Sequence, residues 1–228
     1  ARENQALQRE VGTFETRVAA LQGDLDRVFE YQQLVAAVVD VEPLDPDAHA
    51  ADLHRANSAD AAGAIWDYMP YGPFHSLAAY HRWCREMAAL DDPRFYAIRD
   101  RASGHFGGVA SYLRITPQAG TIEIGHICLA PELQRSRAAT EALWLMMQWA
   151  FEAGYRRVEW KCNALNLASR RAAERLGFSY EGVFRQAAVV KGRNRDTAWF
   201  AAIDREWPAL KAAFDTWLDP GNFDAAGR

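Results

Sequence analysis

Cysteine is scarce and poorly spaced for a structural role: the chain holds three, Cys84, Cys128 and Cys162, an odd number lying far apart. Neither they nor the six histidines form a C-x-x-C or H-x-x-x-H pair, so neither a disulfide framework nor a metal site is expected. Cys128 and Cys162 fall in strand patterns, which fits buried thiols in a reducing cytoplasm. A basic excess is lacking as well. The formal net charge of -4 argues against a nucleic-acid binder. No apolar run approaches the roughly 20 residues that span a bilayer, and no signal-peptide pattern opens the chain, so a cytoplasmic protein without membrane contact is expected. Internal repeats and long low-complexity linkers are missing too.

What is present is an ordinary globular composition, half hydrophobic and a quarter charged, in 228 residues, enough for one full core and an appendage. The appendage is residues 1–38. Leu7, Val11, Phe14, Val18, Leu21, Leu25, Val28 and Val35 are spaced by threes and fours, skipping only Gln32, which makes a heptad seam. Gly12 and Gly23 each cost such a helix up to about 1 kcal/mol relative to alanine. Two readings stay open: self-association as a homodimer, or an amphipathic helix docked on the domain at 39–228.

That domain reads as alternating elements. Strands are expected at 36–44, 94–99, 107–115, 122–129 and 155–162. Helices are expected at 48–56, 76–90, 138–153, 167–176 and 206–218. A closing hairpin joins 180–190 to 197–204, with KGRNRD as its connection. Ile65 to Phe74, IWDYMPYGPF, packs prolines, a glycine and aromatics too densely for a regular element. Its Trp66, Tyr68, Tyr71 and Phe74 either belong to a satellite core or line a substrate pocket.

The chain is organised around residues 121–178. An isoleucine-rich strand leads through a polar, basic turn into a helix whose Leu143, Met146, Met147, Ala150 and Phe151 form an apolar stripe. A second strand alternates Val158, Trp160 and Cys162 with Arg157, Glu159 and Lys161, and a second helix stops at Gly177. In such a βαβ unit the unpaired N–H groups of the first helical turn make an anion site, and Arg135 and Arg137 lie beside it.

The runs IEIGHICLAPELQ, ATEAL, EWKCNALNLASRRAAERLGFSYEGVFRQ and KGRNRDTAWF, in this order, resemble the GNAT acetyltransferases of the RimJ/RimL-type branch, over about Val41 to Trp207. The resemblance implies the GNAT fold: α/β, with a mixed, mostly antiparallel twisted sheet and helices on both faces. It further implies acetyl-CoA as co-substrate, no metal, and a small-molecule or peptide amine as acceptor. The family's phosphate loop, Q/R-x-x-G-x-G/A, maps onto Gln134, Arg135, Ser136, Arg137, Ala138 and Ala139, followed by Thr140, with Arg137 replacing the middle glycine. Ile127, Cys128 and Leu129 of the preceding strand complete the expected CoA contacts.

Amine acetylation requires a base for the ammonium and help for the departing thiolate. Glu123, a carboxylate set among isoleucines, is the first choice of base, and His126 the second. Their parity puts them on opposite faces unless the strand bulges, for which Gly125 is the expected place. Asn166 and Ser169 form an N-x-x-S that caps a helix. In the resembling branch the serine assists the thiolate and the asparagine holds the pantetheine arm. The tyrosine that many relatives carry seven residues beyond this asparagine is Ala173 here. A different class also stays open, a GNAT-fold module that binds CoA or a partner without turnover.

Overall fold

The computed structural model describes residues 36–223. The expected heptad helix lies outside the described residues up to residue 35. Beyond it the elements are β1 (Val39–Pro43), α1 (Pro46–Ser58), α2 (Leu77–Ala88), β2 (Arg94–Asp100), β3 (His105–Thr116) and β4 (Thr121–Leu129), followed by α3 (Arg137–Glu152), β5 (Arg157–Asn163), α4 (Leu167–Arg175), β6 (Ser179–Val190), β7 (Arg193–Ile203) and α5 (Trp207–Trp217). The strands form one seven-stranded sheet in the order β1-β2-β3-β4-β5-β7-β6. Every neighbouring pair is antiparallel except β4 with β5, the pair that α3 joins as a crossover. The mixed α/β class expected from the sequence is the one observed.

Caps fix where the helices begin. Asp45 accepts the Asp47 and Ala48 N–H groups ahead of α1, and Ser76 accepts the Ala79 N–H ahead of α2. After α4 the chain turns at Gly177, whose φ of +84° suits glycine and whose missing Cβ leaves room for Leu210.

The sheet separates two apolar layers. One holds α3 against Tyr96, Tyr112, Ile122, Ile124, Val158, Trp160 and Phe200. The other holds α1, α2 and the aromatic loop against Phe95, Ala97, Val109 and Cys128. The stripe expected on α3 understates its burial, because Ala138 through Met147 are buried without a break. The central position of the helix, between the sheet and α5, leaves it almost no solvent face. All three cysteines are free and buried.

The closing hairpin is also tighter than expected. Lys191 and Gly192 alone form the turn, with φ of 49° and 73°, and Arg193 already pairs with Val190. Positive φ at both central residues is the two-residue hairpin geometry that matches strand twist, so most of KGRNRD becomes strand.

Glu141 ties α3 to the start of β1. Its carboxylate, buried at 2% exposure, accepts the N–H groups of Ala37 at 3.0 Å and Val38 at 2.7 Å. Glu141→Ala strips both donors of their acceptor and should lower unfolding free energy by about 1–3 kcal/mol. Chemical denaturation that shows no loss would remove this assignment.

Candidate active site

The parallel ladder between β4 and β5 is short. Thr121, Ile122 and Glu123 pair with Arg157, Val158 and Glu159, and there it stops. Above this point β4 continues along β3 to Leu129, while β5 continues along β7 to Asn163. The two strands splay, and a wedge opens in the middle of the sheet with the inner edge of Ile124–Leu129 along one side.

A bulge in β4 stands at the throat of the wedge. Glu123 lies opposite Leu113, Gly125 opposite Ser111, and Cys128 opposite Val109, so two residues of β4, His126 and Ile127, face the single residue Ala110. The bulge centres on His126, with φ of 50°, one residue beyond the place expected at Gly125. It resolves the parity conflict. His126 turns to the face that carries Glu123, where its ring stacks on Tyr71 at 5.7 Å and meets Phe95 at 5.1 Å. Ser111, fully buried, donates to the Gly125 carbonyl at 3.3 Å and steadies the distorted segment.

Glu123 is not isolated. It is 3% exposed, and its Oε2 accepts from Arg114 Nη1 at 2.7 Å and Lys161 Nζ at 2.9 Å. Lys161, with 6% side-chain exposure, also reaches Glu159 Oε2 at 2.6 Å and sits 3.9 Å over the Trp199 ring. Arg157 continues the row to Glu159 and Glu181. Burial works to raise the Glu159 carboxyl, but the hydrogen bonds from Lys161 and Arg157 outweigh it and hold it below the usual carboxylate range. Glu123 Oε1 lies on the Gly125 side, 3.4 Å from where a Cβ on that glycine would stand.

Sequence reasoning missed Lys161 and Arg114, and with them Arg195 on β7, whose charge acts on His126. The one available signal was the polar row Arg157, Glu159, Lys161 in β5, whose face is roofed over rather than solvated. The roles of Arg114 and Arg195 depend on bulges and on neighbouring strands, which no local pattern encodes.

The loop between β4 and α3 is shaped by its own hydrogen bonds. Gln134 Nε2 donates to the Leu129 carbonyl at 2.9 Å, and Arg135, exposed, takes a φ of 58°. Ser136 caps α3 by accepting the Ala139 N–H at 2.9 Å, while the Thr140 N–H closes on the Ser136 carbonyl. The N–H groups of Arg137 and Ala138 remain as open donors of the first turn. The Arg137 guanidinium turns away from them: it donates to the Leu218 carbonyl at 2.6 Å and lies 4.4 Å over the Phe223 ring. The charge in the glycine's place thus ties α3 to the C-terminal segment.

On the β5 side, Asn166 caps α4 by accepting the Ser169 N–H at 3.0 Å. Ser169 Oγ accepts the Trp160 indole N–H at 2.9 Å. Burial pushes the Cys162 thiol up, against the Ser169 hydroxyl bonded to it and the charges of Arg195 and Arg170. Ala173, fully buried, fills the place of the absent tyrosine.

The aromatic loop joins the second apolar layer and reaches the bulge in β4. Trp66 is buried in the second apolar layer, with Tyr71 and Phe74 packed against it. Tyr71 also covers His126. Tyr68 is exposed and donates to the Leu165 carbonyl at 3.2 Å, and Lys191 donates to the Trp66 carbonyl at 2.9 Å. The loop is therefore laced to the β5–α4 connection and to the hairpin turn.

Burial, with the charges of Arg114 and Arg195, drives the His126 pKa down to about 4. The folded protein then binds this proton less readily than the unfolded chain, where histidine titrates near 6.5. His126 should therefore cost stability as pH falls from about 6.5 to 4, at up to about 1.4 kcal/mol per pH unit. Denaturation curves of His126→Asn, a residue that tolerates positive φ, should be flatter than wild type across that window. Equal slopes would refute the shift.

Comparison with known proteins bears on the fold and the family. The acetyltransferase (GNAT) domain pattern matches residues 39–179, more than half of the chain. No protein with curated annotation shows a significant match. A GCN5-related N-acetyltransferase from Brucella melitensis is 47% identical with a TM-score of 0.82, over 85% of this chain and 88% of that one. A GNAT-family acetyltransferase from Chromobacterium violaceum ATCC 12472 is 42% identical with a TM-score of 0.71, over 76% of this chain and 86% of that one. RimL, the ribosomal L7/L12 α-N-protein acetyltransferase solved with coenzyme A, is 24% identical with a TM-score of 0.62, over 75% of this chain and 97% of that one, a likeness of fold. On the extent of the domain match and the identity to these two bacterial enzymes, the chain belongs to the GNAT acetyltransferase family.

Proposed function

We propose that this chain transfers the acetyl group of acetyl-CoA to a primary amine in the wedge between β4 and β5, as an N-acetyltransferase of RimJ/RimL type. The observation that carries the reading is the splay itself. It exposes the inner edge of Ile124–Leu129 inside a sheet, where an extended ligand bearing amide groups can pair as an added strand would. The pantetheine arm of CoA has that chemistry, with Ile127, Cys128 and Leu129 as its partners and Asn166 opposite. The phosphates belong at the start of α3, where the open N–H groups of Arg137 and Ala138 meet the exposed Arg135. The coenzyme A bound to RimL supports the same co-substrate here.

The acceptor reaches the throat from the face of Tyr71 and His126. Nitrogen attacks the thioester carbonyl, the C–S bond breaks as the amide forms, and the ammonium proton has to leave. Glu123 is the base, directly or through a water at Oε1, since Oε2 is taken by Arg114 and Lys161. His126, uncharged at neutral pH, positions the amine. Ser169 accepts from Trp160, which polarises its O–H, and that O–H turns from Cys162 to donate toward the departing sulfur.

Glu123→Gln should lower kcat by roughly 10²-fold, the scale of a general base, in a thiol-release assay. Ser169→Ala should lower kcat with little change in CoA affinity, and Asn166→Ala should weaken CoA binding. A Glu123→Gln enzyme that keeps its rate and pH profile, while His126→Ala loses both, would move the base to His126. The domain is proposed to begin near residue 39, with residues 1–38 as an element for self-association or docking. Removing residues 1–35 should then change the mass by light scattering or the stability, and no change in either would refute both roles.

A further inference from the structure

The throat of the wedge carries more positive charge than its acids hold. Glu123 is shared by Arg114 and Lys161, and Glu159 by Lys161 and Arg157. Arg195 is then left over. It lies on β7 opposite Ala188, two residues before Thr197, which pairs with Asn163 at the wedge end of β5. The side chain is half-buried, its Nε is enclosed without a hydrogen-bond partner, and no acid pairs with its guanidinium among the described residues. The adjacent acid does not serve it, because Asp196 Oδ1 accepts from the Gln186 N–H at 2.7 Å and Asn194 Nδ2 at 3.0 Å. The charges it does feel are those of the throat: Glu123 and Arg114 act on Arg195, and Arg195 in turn acts on His126.

A half-buried guanidinium without a counter-ion costs stability, and this one stands beside the reacting groups. A complementary anion would repay that cost, and guanidinium is the side chain that binds carboxylates in a planar, two-bonded fit. CoA does not supply the anion at this place. Its charges are its phosphates, which belong at the start of α3, and the arm between them and the thioester is uncharged. The anion must come with the acceptor. We propose that Arg195 holds a carboxylate of the acceptor, so that the acceptors of this enzyme are amines that also carry a carboxylate near the nitrogen, as an amino acid or an acidic peptide terminus does. This deepens the acetyltransferase reading and rests on it. The surplus cations serve the chemistry as well, since they favour the uncharged, nucleophilic form of the amine.

The test pairs amines that differ in one carboxylate: phenylalanine with phenethylamine, and Ser-Glu with Ser-Gln, both peptides amidated at the C-terminus. Thiol release at saturating acetyl-CoA gives kcat and KM for each. Wild type should favour the acid of at least one pair by about tenfold or more in kcat/KM, the scale of one charge-assisted bond. The free amino acid and the peptide then show which kind of molecule supplies the carboxylate. Arg195→Ala should erase that preference, mainly through KM for the acid, and Arg195→Lys should restore part of it. Equal turnover of both members of each pair by wild type, or equal losses for both in Arg195→Ala, would overturn the proposal. Calorimetry of the N-acetylated acid and its amide on the CoA complex reads the site without turnover. Tighter binding of the acid that depends on Arg195, with no thiol release from any amine, would keep the anion site and sink acetyl transfer. Equal affinity of acid and amide would sink the anion site even in an active enzyme.

Discussion

Parallel pairing of β4 with β5 ends at Glu123 and Glu159, and the rest of the site depends on that stopping point. A continuous sheet would bury the inner edge of β4 in a ladder and leave no wedge. Two features hold the strands apart. Below, the row of charges from Arg114 through Glu123 and Lys161 to Glu159 closes the base of the wedge. Above, the bulge at His126 turns β4 while β3 holds it on the far side. A bulge leaves its extra residue outside the ladder, and here that residue is the histidine facing the throat.

The charge row is a sheet-face counterpart of a buried polar network. Glu123, Lys161 and Glu159 are withdrawn from water, and such groups are tolerable only when each finds partners. Lys161 has two carboxylates and the face of Trp199. Arg195 is the member left without an acid among the described residues, and the acceptor's carboxylate is proposed to lie against it. The fold thus keeps its satisfied charges beneath the site and an unsatisfied one within it, the arrangement expected where electrostatics serve binding rather than stability.

Arg137 illustrates how a motif position can change its task. A glycine there would let backbone approach a phosphate closely. The arginine instead bonds the Leu218 carbonyl and stacks on Phe223, fastening the segment after α5 to the start of α3. The open N–H groups of Arg137 and Ala138 come from the backbone of the turn and do not need that side chain.

Much of this could be read from the residues in order. The apolar alternation of Val158, Trp160 and Cys162, the caps Asp45, Ser76 and Asn166, and the stop at Gly177 are local signals, and each element expected among the described residues lies within a few residues of its expected place. Local physics governs them, because propensity, capping and turn chemistry act over a few neighbouring residues. Glu123, His126, Asn166 and Ser169 could be named from the same stretch, but their geometry could not. That His126 shares a face with Glu123 depends on a mismatch of register against β3. That Lys161 is buried depends on Trp199 of another strand, and the lone charge of Arg195 on acids that the chain brings near and commits elsewhere. Those facts belong to contacts between residues far apart in sequence, and only the closing of the sheet decides them.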